Sequence, residues 1–265
     1  MLRFELTTQL IRLRTLIALI CLAAVPVAAG LSFASSAGHR NGSQGGLFGA
    51  SPYSALNHTM AGLEFIGPLL LPIVVALLAA TIASADRDWG ILRYLYVAPV
   101  TRGRLLAAKL GAAALATAVA LAVVLAAGLA AGLVIFGWHP FHVIGAADLT
   151  TGETAGRVLA AAGYTLLCML AMAGIAVTLG LLLPRGAEAL AVAIAFVVLA
   201  SILNGQPALH AVAAALPVHY WQNWVGLFDP AGASGLGLGI GVQLGWIAGC
   251  VASCWTILAR RDPAA

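Results

Sequence analysis

Long apolar runs separated by short polar ones dominate the chain. A helix needs roughly 20 apolar residues to cross a bilayer, and six runs suit that purpose, at about 15–34, 61–84, 110–136, 158–183, 188–203 and 235–258. The second contains Glu64, Pro68 and Pro72, so its first half is expected to bend or break. The fifth is short for a crossing, and another short apolar piece follows Asn204, Gly205 and Pro207 and runs to Pro217. This predicts a broken or re-entrant element on the outer side, tolerated only where protein or water shields its backbone. Before the first run, Leu2, Leu6, Leu10 and Leu13 recur at helical spacing, which predicts an interfacial helix over 1–14. The same end also reads as the start of a signal peptide, with PVAAGLSFASSAG as its cleavage region. The apolar run is longer than a usual signal core, which favours an uncleaved first span. The fold class expected is an all-α membrane protein of six transmembrane helices, with residues 1–265 forming a single transmembrane domain.

Composition supports this reading. The chain is 62 % hydrophobic and 8 % charged, against about 25 % charged in soluble domains. Its 30 glycines suit helices that approach closely in a membrane. A net charge of +4 therefore does not point to nucleic acid; only the placing of the charges is informative. With the amino terminus inside, eleven Lys and Arg residues fall on inner segments and two, Arg40 and Arg157, on outer ones. That bias sets the orientation and predicts a multi-pass protein of the plasma membrane with both termini cytoplasmic. Trp221, Trp224 and Tyr220 fit an interfacial aromatic belt. Cys21, Cys168, Cys250 and Cys254 sit within apolar runs, as small buried hydrophobes do; Cys250 and Cys254 share a helix face, and a redox or metal pair there is the alternative.

Five of the 13 basic residues lie in one stretch, residues 84–109. Its first half, DRDWGILRYLY, mixes charge with aromatic and aliphatic groups and predicts a short amphipathic helix. Pro99 then stops it, and Thr101 is placed to cap a new helix running into the third span. Two short helices meeting at a proline make a firm cytoplasmic knob. Plain anchoring of two spans by positive charge is the alternative, although it does not require Trp89, Tyr94 and Tyr96.

Candidate chemistry is sparse. Neither G-x-x-x-x-G-K-[ST], HExxH nor G-x-S-x-G occurs, so the chain has no phosphate cradle of the P-loop kind. Glu64 and Gln243 are candidate polar groups on a path through the membrane, with an interfacial acid as the other reading of Glu64. His139 and His142 form an H-x-x-H pair able to share one side of a helical turn, which makes them weak metal candidates beside a plain boundary role. Gly237, Gly241, Gly245 and Gly249 recur every four residues, which predicts close packing on another helix, of this chain or of a second subunit. Gly128 and Gly132 repeat the pattern once.

The central stretch resembles that of the ABC-2 type permeases, membrane subunits of ATP-binding-cassette exporters. An acidic, Gly-containing segment at Asp86, Asp88 and Gly90 is followed by Leu92 and Leu95, then by Pro99, Thr101, Arg102 or Arg104, and Lys109. Asp-Trp-Gly-Ile stands where Glu-x-Gly-Thr is frequent in that family. The resemblance implies a non-catalytic half-transporter with no cofactor of its own, the ATP and Mg being held by a partner. Two copies of a cytoplasmic ATPase and a second permease, identical or related, would be its partners, with the lipid bilayer around them. The coupling residues it implies are Asp86, Arg87, Asp88, Trp89, Gly90, Arg93, Pro99, Thr101, Arg102, Arg104 and Lys109. The cargo implied is an amphiphilic small molecule or a lipid. An ion-gradient-driven transporter or channel is the alternative, with copper-related export or a membrane enzyme as minor ones.

Overall fold

A computed structural model describes residues 12–35, 46–88, 101–230 and 232–260, with the backbone alone for 86–88. Its helices are α1 (Leu13–Ser35), α2 (Gly46–Ala50), α3 (Ala55–Ile66), α4 (Leu70–Asp88), α5 (Arg102–Ile135), α6 (Thr151–Leu182), α7 (Gly186–Asn204), α8 (His210–Ala213) and α9 (Leu236–Arg260). Five of them, α1, α5, α6, α7 and α9, are each long and apolar enough to cross a membrane, and α3 and α4 qualify together as a pair bent by 66°. The all-α membrane architecture expected from the apolar runs is therefore what folds. The bend has a local cause. Pro68 lies in the break and cannot donate to the preceding turn, whereas Pro72 sits in the first turn of α4, where an N–H has no helical partner anyway.

α6 lies at the centre, packed against α4, α5, α7 and α9. Small residues make these approaches possible. A Cβ on Gly180 would meet the backbone of Ala80, and one on Gly132 would stand 2.7 Å from Ala55 Cα. Gly128 faces Thr59 in the same way, 3.2 Å from its Cα, so α3 lies along α5 with backbone nearly on backbone. α1 runs in the same direction as α5, since Gly30 meets Ile135. These contacts bring the start of α1, the end of α4, the start of α5, the α6–α7 connection and the end of α9 to one end of the bundle. That end carries Arg12, Arg14, Arg102, Arg104, Lys109, Arg185 and Arg260; Arg157 is at the other.

Several boundaries differ from those expected. Within the 84–109 stretch, α4 runs through Asp88 and α5 starts at Arg102 behind Thr101, where the sequence places a new helix. Its core, 89–100, and most of the expected interfacial helix, 1–11, lie outside the described residues. α6 starts at Thr151, seven residues before the apolar run. Its start is set by a capping box in which the Thr150 hydroxyl accepts from Glu153 N while the Glu153 carboxylate accepts from Thr150, a signal hydropathy does not register. α7, with 19 residues, is about 28 Å long, close to the ~30 Å hydrocarbon core. The break falls after it, where residues 207–228 contain the short α8 and three short 3-10 segments.

Candidate functional site

The basic end of the bundle is built around the first turns of α5. Thr101 holds the extended conformation of an N-cap, and its carbonyl accepts from Arg104 N and Leu105 N. Its hydroxyl makes no capping bond, contrary to expectation. Arg102 reaches across to α9, where its Nη1 donates to the carbonyls of Leu258 at 2.8 Å and Ala259 at 2.9 Å. Carbonyls in the last turn of a helix lack helical partners and carry the negative end of its dipole, so a guanidinium there acts as a cap. Lys109 turns the other way. It is 2 % exposed, and its Nζ donates to Ile82 O at 3.0 Å and lies 3.5 Å from Ala83 O, both in α4. A buried ammonium is tolerated only when hydrogen-bonded. Arg104 is exposed on the surface of α5. Of the residues expected to couple to a partner, then, Arg104 faces out, while Arg102 and Lys109 tie α5 to α9 and to α4. Asp86, Arg87 and Asp88 lie in the last turn of α4. Trp89, Gly90, Arg93 and Pro99 are outside the described residues.

At the opposite end the broken segment after α7 hangs from side chains of neighbouring helices. Arg157 Nη1 donates to Leu227 O at 2.8 Å, Tyr164 Oη to Tyr220 O at 2.9 Å, Gln243 Nε2 to Pro217 O at 2.8 Å and Trp246 Nε1 to Ala215 O at 3.0 Å. Tyr220 Oη closes on Ala214 O at 3.0 Å. A non-helical backbone leaves carbonyls that must be satisfied at membrane depth, and these donors supply what a helix would have supplied itself. Tyr220, Trp221 and Trp224 are all under 5 % exposed. They do not form the expected aromatic belt; they are the apolar body that fills the space beneath this segment.

Gln243 is fully buried on α9, and its Oε1 has no hydrogen-bond partner. Glu64 is half-buried in the last turn of α3, just before the bend, and its Oε2 is likewise buried without a hydrogen-bond partner. The Glu64 backbone carbonyl accepts from Gln222 of the suspended segment at 3.1 Å. Gln243, through its side chain, and Glu64, through its backbone carbonyl, thus both bond to that segment.

The glycine stripe on α9 faces outward. A Cβ at Gly237, Gly241, Gly245 or Gly249 would meet nothing within 4 Å, so no helix of this chain among the described residues fills it. The glycine of α9 that permits close packing is Gly239, where the Tyr164 hydroxyl occupies the space a side chain would take. A groove of about 590 Å³ adjoins the stripe, lined by Ile175, Thr178, Val242, Gly245, Trp246 and Gly249 among others. Cys250 and Cys254 are buried free thiols facing α6, where Thr178 Oγ1 lies 3.3 Å from Cys254 Sγ.

His139 and His142 lie on a non-helical segment, so they do not share a helical turn. His142 pairs through Nδ1 with Asp148 Oδ1 at 2.7 Å and stacks on Tyr53 with ring centres 4.1 Å apart. The His139 ring stands against Gly137 instead. Among the described residues no three His, Cys, Asp or Glu side chains gather to hold a metal. A histidine with a structural role that sequence reasoning missed is His58. Its Nε2 donates to Pro26 O of α1 at 2.9 Å, and its Nδ1 lies 2.9 Å from Ser51 Oγ. Because a carbonyl only accepts, the Nε2 hydrogen is fixed, and in the neutral ring Nδ1 accepts from the serine.

No curated protein matches the chain. A family model described as ABC-2 family transporter protein matches residues 5–234. That span takes in the bent α3–α4 pair, the basic end of α5, the central α6 and the suspended segment. A helical bundle of membrane dimensions is what a membrane transport protein of this kind requires. The chain belongs to the ABC-2 family of transporter proteins.

Proposed function

We propose that this chain is the membrane half of an exporter of an amphiphilic small molecule or lipid, driven by two copies of a cytoplasmic ATPase that carry the ATP and Mg. A second permease, identical or related, completes the path. The observation that carries the reading is the concentration of basic residues at the end of the bundle where α4 ends and α5 begins. By the positive-inside rule that end lies in the cytoplasm, which puts both termini there in a plasma-membrane protein. The coupling surface is then the exposed part of 86–104, including Arg104 and Arg102, the latter also capping α9, while the buried Lys109 supports it from within. The apolar groove between α6 and α9 and the outward glycine stripe support an amphiphilic cargo and a second subunit respectively.

Purification of the permease with its ATPase tests this directly. Neutralising Asp86, Arg87, Asp88, Arg93 and Arg104 together should release the ATPase or abolish its permease-dependent turnover. Full ATPase recovery and unchanged turnover would remove the coupling assignment. A panel of amphiphiles that stimulates turnover in the reconstituted complex identifies the cargo class.

A further inference from the structure

The bend between α3 and α4 lies deep in the bundle, and an acid stands beside it. Two helix registers fix that depth. Ala55 and Thr59 of α3 meet Gly132 and Gly128 of α5, so these helices are antiparallel, and five residues further on Glu64 is level with Val123. From Val123 it is twelve residues, about 18 Å, to the end of α5 at Ile135, and thirteen to the start of its apolar run at Leu110. On α1, Pro26 meets Gly62 and Gly30 meets the His58 ring. That sets Glu64 level with Ala24, eleven residues from either end of α1. Both registers put Glu64 near the middle of a hydrocarbon core about 30 Å thick.

The Glu64 side chain is half-buried, and the surface beside it is open. Phe65 is 62 % exposed and Leu69 52 %, and Gln222, whose Nε2 donates to the Glu64 carbonyl, is exposed as well. An ionisable group turned to lipid at that depth is costly, and such groups face protein or a water-filled cavity. Glu64 Oε2 has no hydrogen-bond partner, and among the described residues no Lys or Arg forms an ion pair with it. The basic side chains gather at the two ends of the bundle, with Arg14 and Lys109 toward one and Arg157 toward the other. Next to the acid the Phe65 ring stands 5.8 Å from that of Phe48, which stands 5.2 Å from that of Phe33.

We propose that Glu64 receives the positively charged head of the cargo at mid-membrane, which makes that cargo an amphiphile bearing an ammonium or similar organic cation. The cation supplies the partner that the carboxylate lacks. Phe65 and Phe48 offer ring faces that attract a cation and apolar area for the body attached to it. An uncharged head leaves the carboxylate unpaired and an anionic head is repelled by it, so the same group discriminates between cargoes. The inference rests on the reading that the chain lines the path of an amphiphile exporter.

The test photolabels the full-length permease in phosphatidylcholine nanodiscs with three diazirine-bearing alkyl probes of equal chain length. One ends in trimethylammonium, one in a hydroxyl and one in a sulfate. The ammonium probe should label residues 60–70 and 217–224 several-fold more than the others do, and unlabelled hexadecyltrimethylammonium should compete with it. Glu64→Gln should lower this labelling to the level of the hydroxyl probe, while Glu64→Asp should keep part of it. Should Glu64→Gln fail to give a monodisperse protein, Phe65→Leu at its exposed position is read instead and should lower the labelling by about twofold or more. Equal labelling by the three probes, or parent-like labelling of these variants, overturns the proposal. In the permease–ATPase complex the ammonium probe should also raise ATPase turnover, and labelling without that rise overturns the assignment of the site to cargo. Stimulation by the uncharged or anionic probe alone sinks this inference and leaves the exporter reading standing, whereas a permease that retains no ATPase sinks the exporter reading itself.

Discussion

The Tyr164 hydroxyl lies over the bare backbone of Gly239 while donating to the carbonyl of Tyr220. Three parts of the fold meet there: the central helix α6, the final helix α9 and the suspended segment. A side chain at 239 would press on the hydroxyl and stand 3.1 Å from Tyr220 Cβ. Gly239→Ala should therefore destabilise the subunit by about 1–3 kcal/mol, the usual cost of overpacking, and lower its Tm. Combined with Tyr164→Phe, which removes the clashing atom, the loss should be less than additive. A Gly239→Ala protein melting with the parent would contradict the geometry.

The outward glycines should behave in the opposite way. A Cβ at Gly237 or Gly241 meets open space, so Gly237→Ala and Gly241→Ala should change the stability of the isolated subunit by no more than about 0.5 kcal/mol. If the stripe seats a second permease, the same substitutions should reduce the dimer fraction measured by cross-linking in membranes. Unchanged dimerisation would mean that the stripe packs on nothing more specific than lipid.

His58→Ala removes the donor to Pro26 O and the partner of Ser51 Oγ in a buried site. Leaving buried polar groups unpaired costs about 1–3 kcal/mol each. The expected outcome is a clear drop in Tm together with faster hydrogen exchange in α1 near Pro26. A substitution without effect on that exchange would show that the α1–α3 tie is not maintained in lipid.

Lys109 and Arg104 are close in sequence but should respond differently. Lys109→Met keeps much of the buried volume and removes the bonds to α4, so it should lower thermal stability while leaving the affinity for the ATPase within about twofold, given that charge-assisted hydrogen bonds are worth roughly 1.5–3 kcal/mol. Arg104→Ala, at an exposed position, should leave stability alone and weaken ATPase binding. A binding titration together with a melting curve for each variant separates the two roles, and the reverse pattern would refute the assignment.

Much of the architecture was legible from the apolar runs, because a bilayer imposes a length and a polarity that a single chain must satisfy locally. Pro68 announced the bend between α3 and α4, and Asn204, Gly205 and Pro207 announced the break after α7, since proline and glycine act on their own backbone. Gly128 and Gly132 forecast a close approach and make it, against α3. Arg102 and Lys109 could be counted as basic residues near one face of the membrane, which is a local property.

What those residues touch was not legible. Whether Lys109 faces solvent or the α4 carbonyls, whether Trp221 and Trp224 lie in a headgroup layer or under a suspended loop, and which glycine of α9 meets a neighbour all depend on the rotation of one helix against another. That rotation is set by the packing of all the helices together, and in an almost uniformly apolar helix the polar face that would reveal it in a soluble protein is missing. The sequence alone therefore determined that the chain spans a membrane and where its positive charge concentrates. Tertiary structure alone decided which carbonyls of the broken segment are claimed by Tyr164, Gln243, Trp246 and Arg157, because a hydrogen bond between residues far apart in the chain exists only once the helices bearing them have been brought side by side.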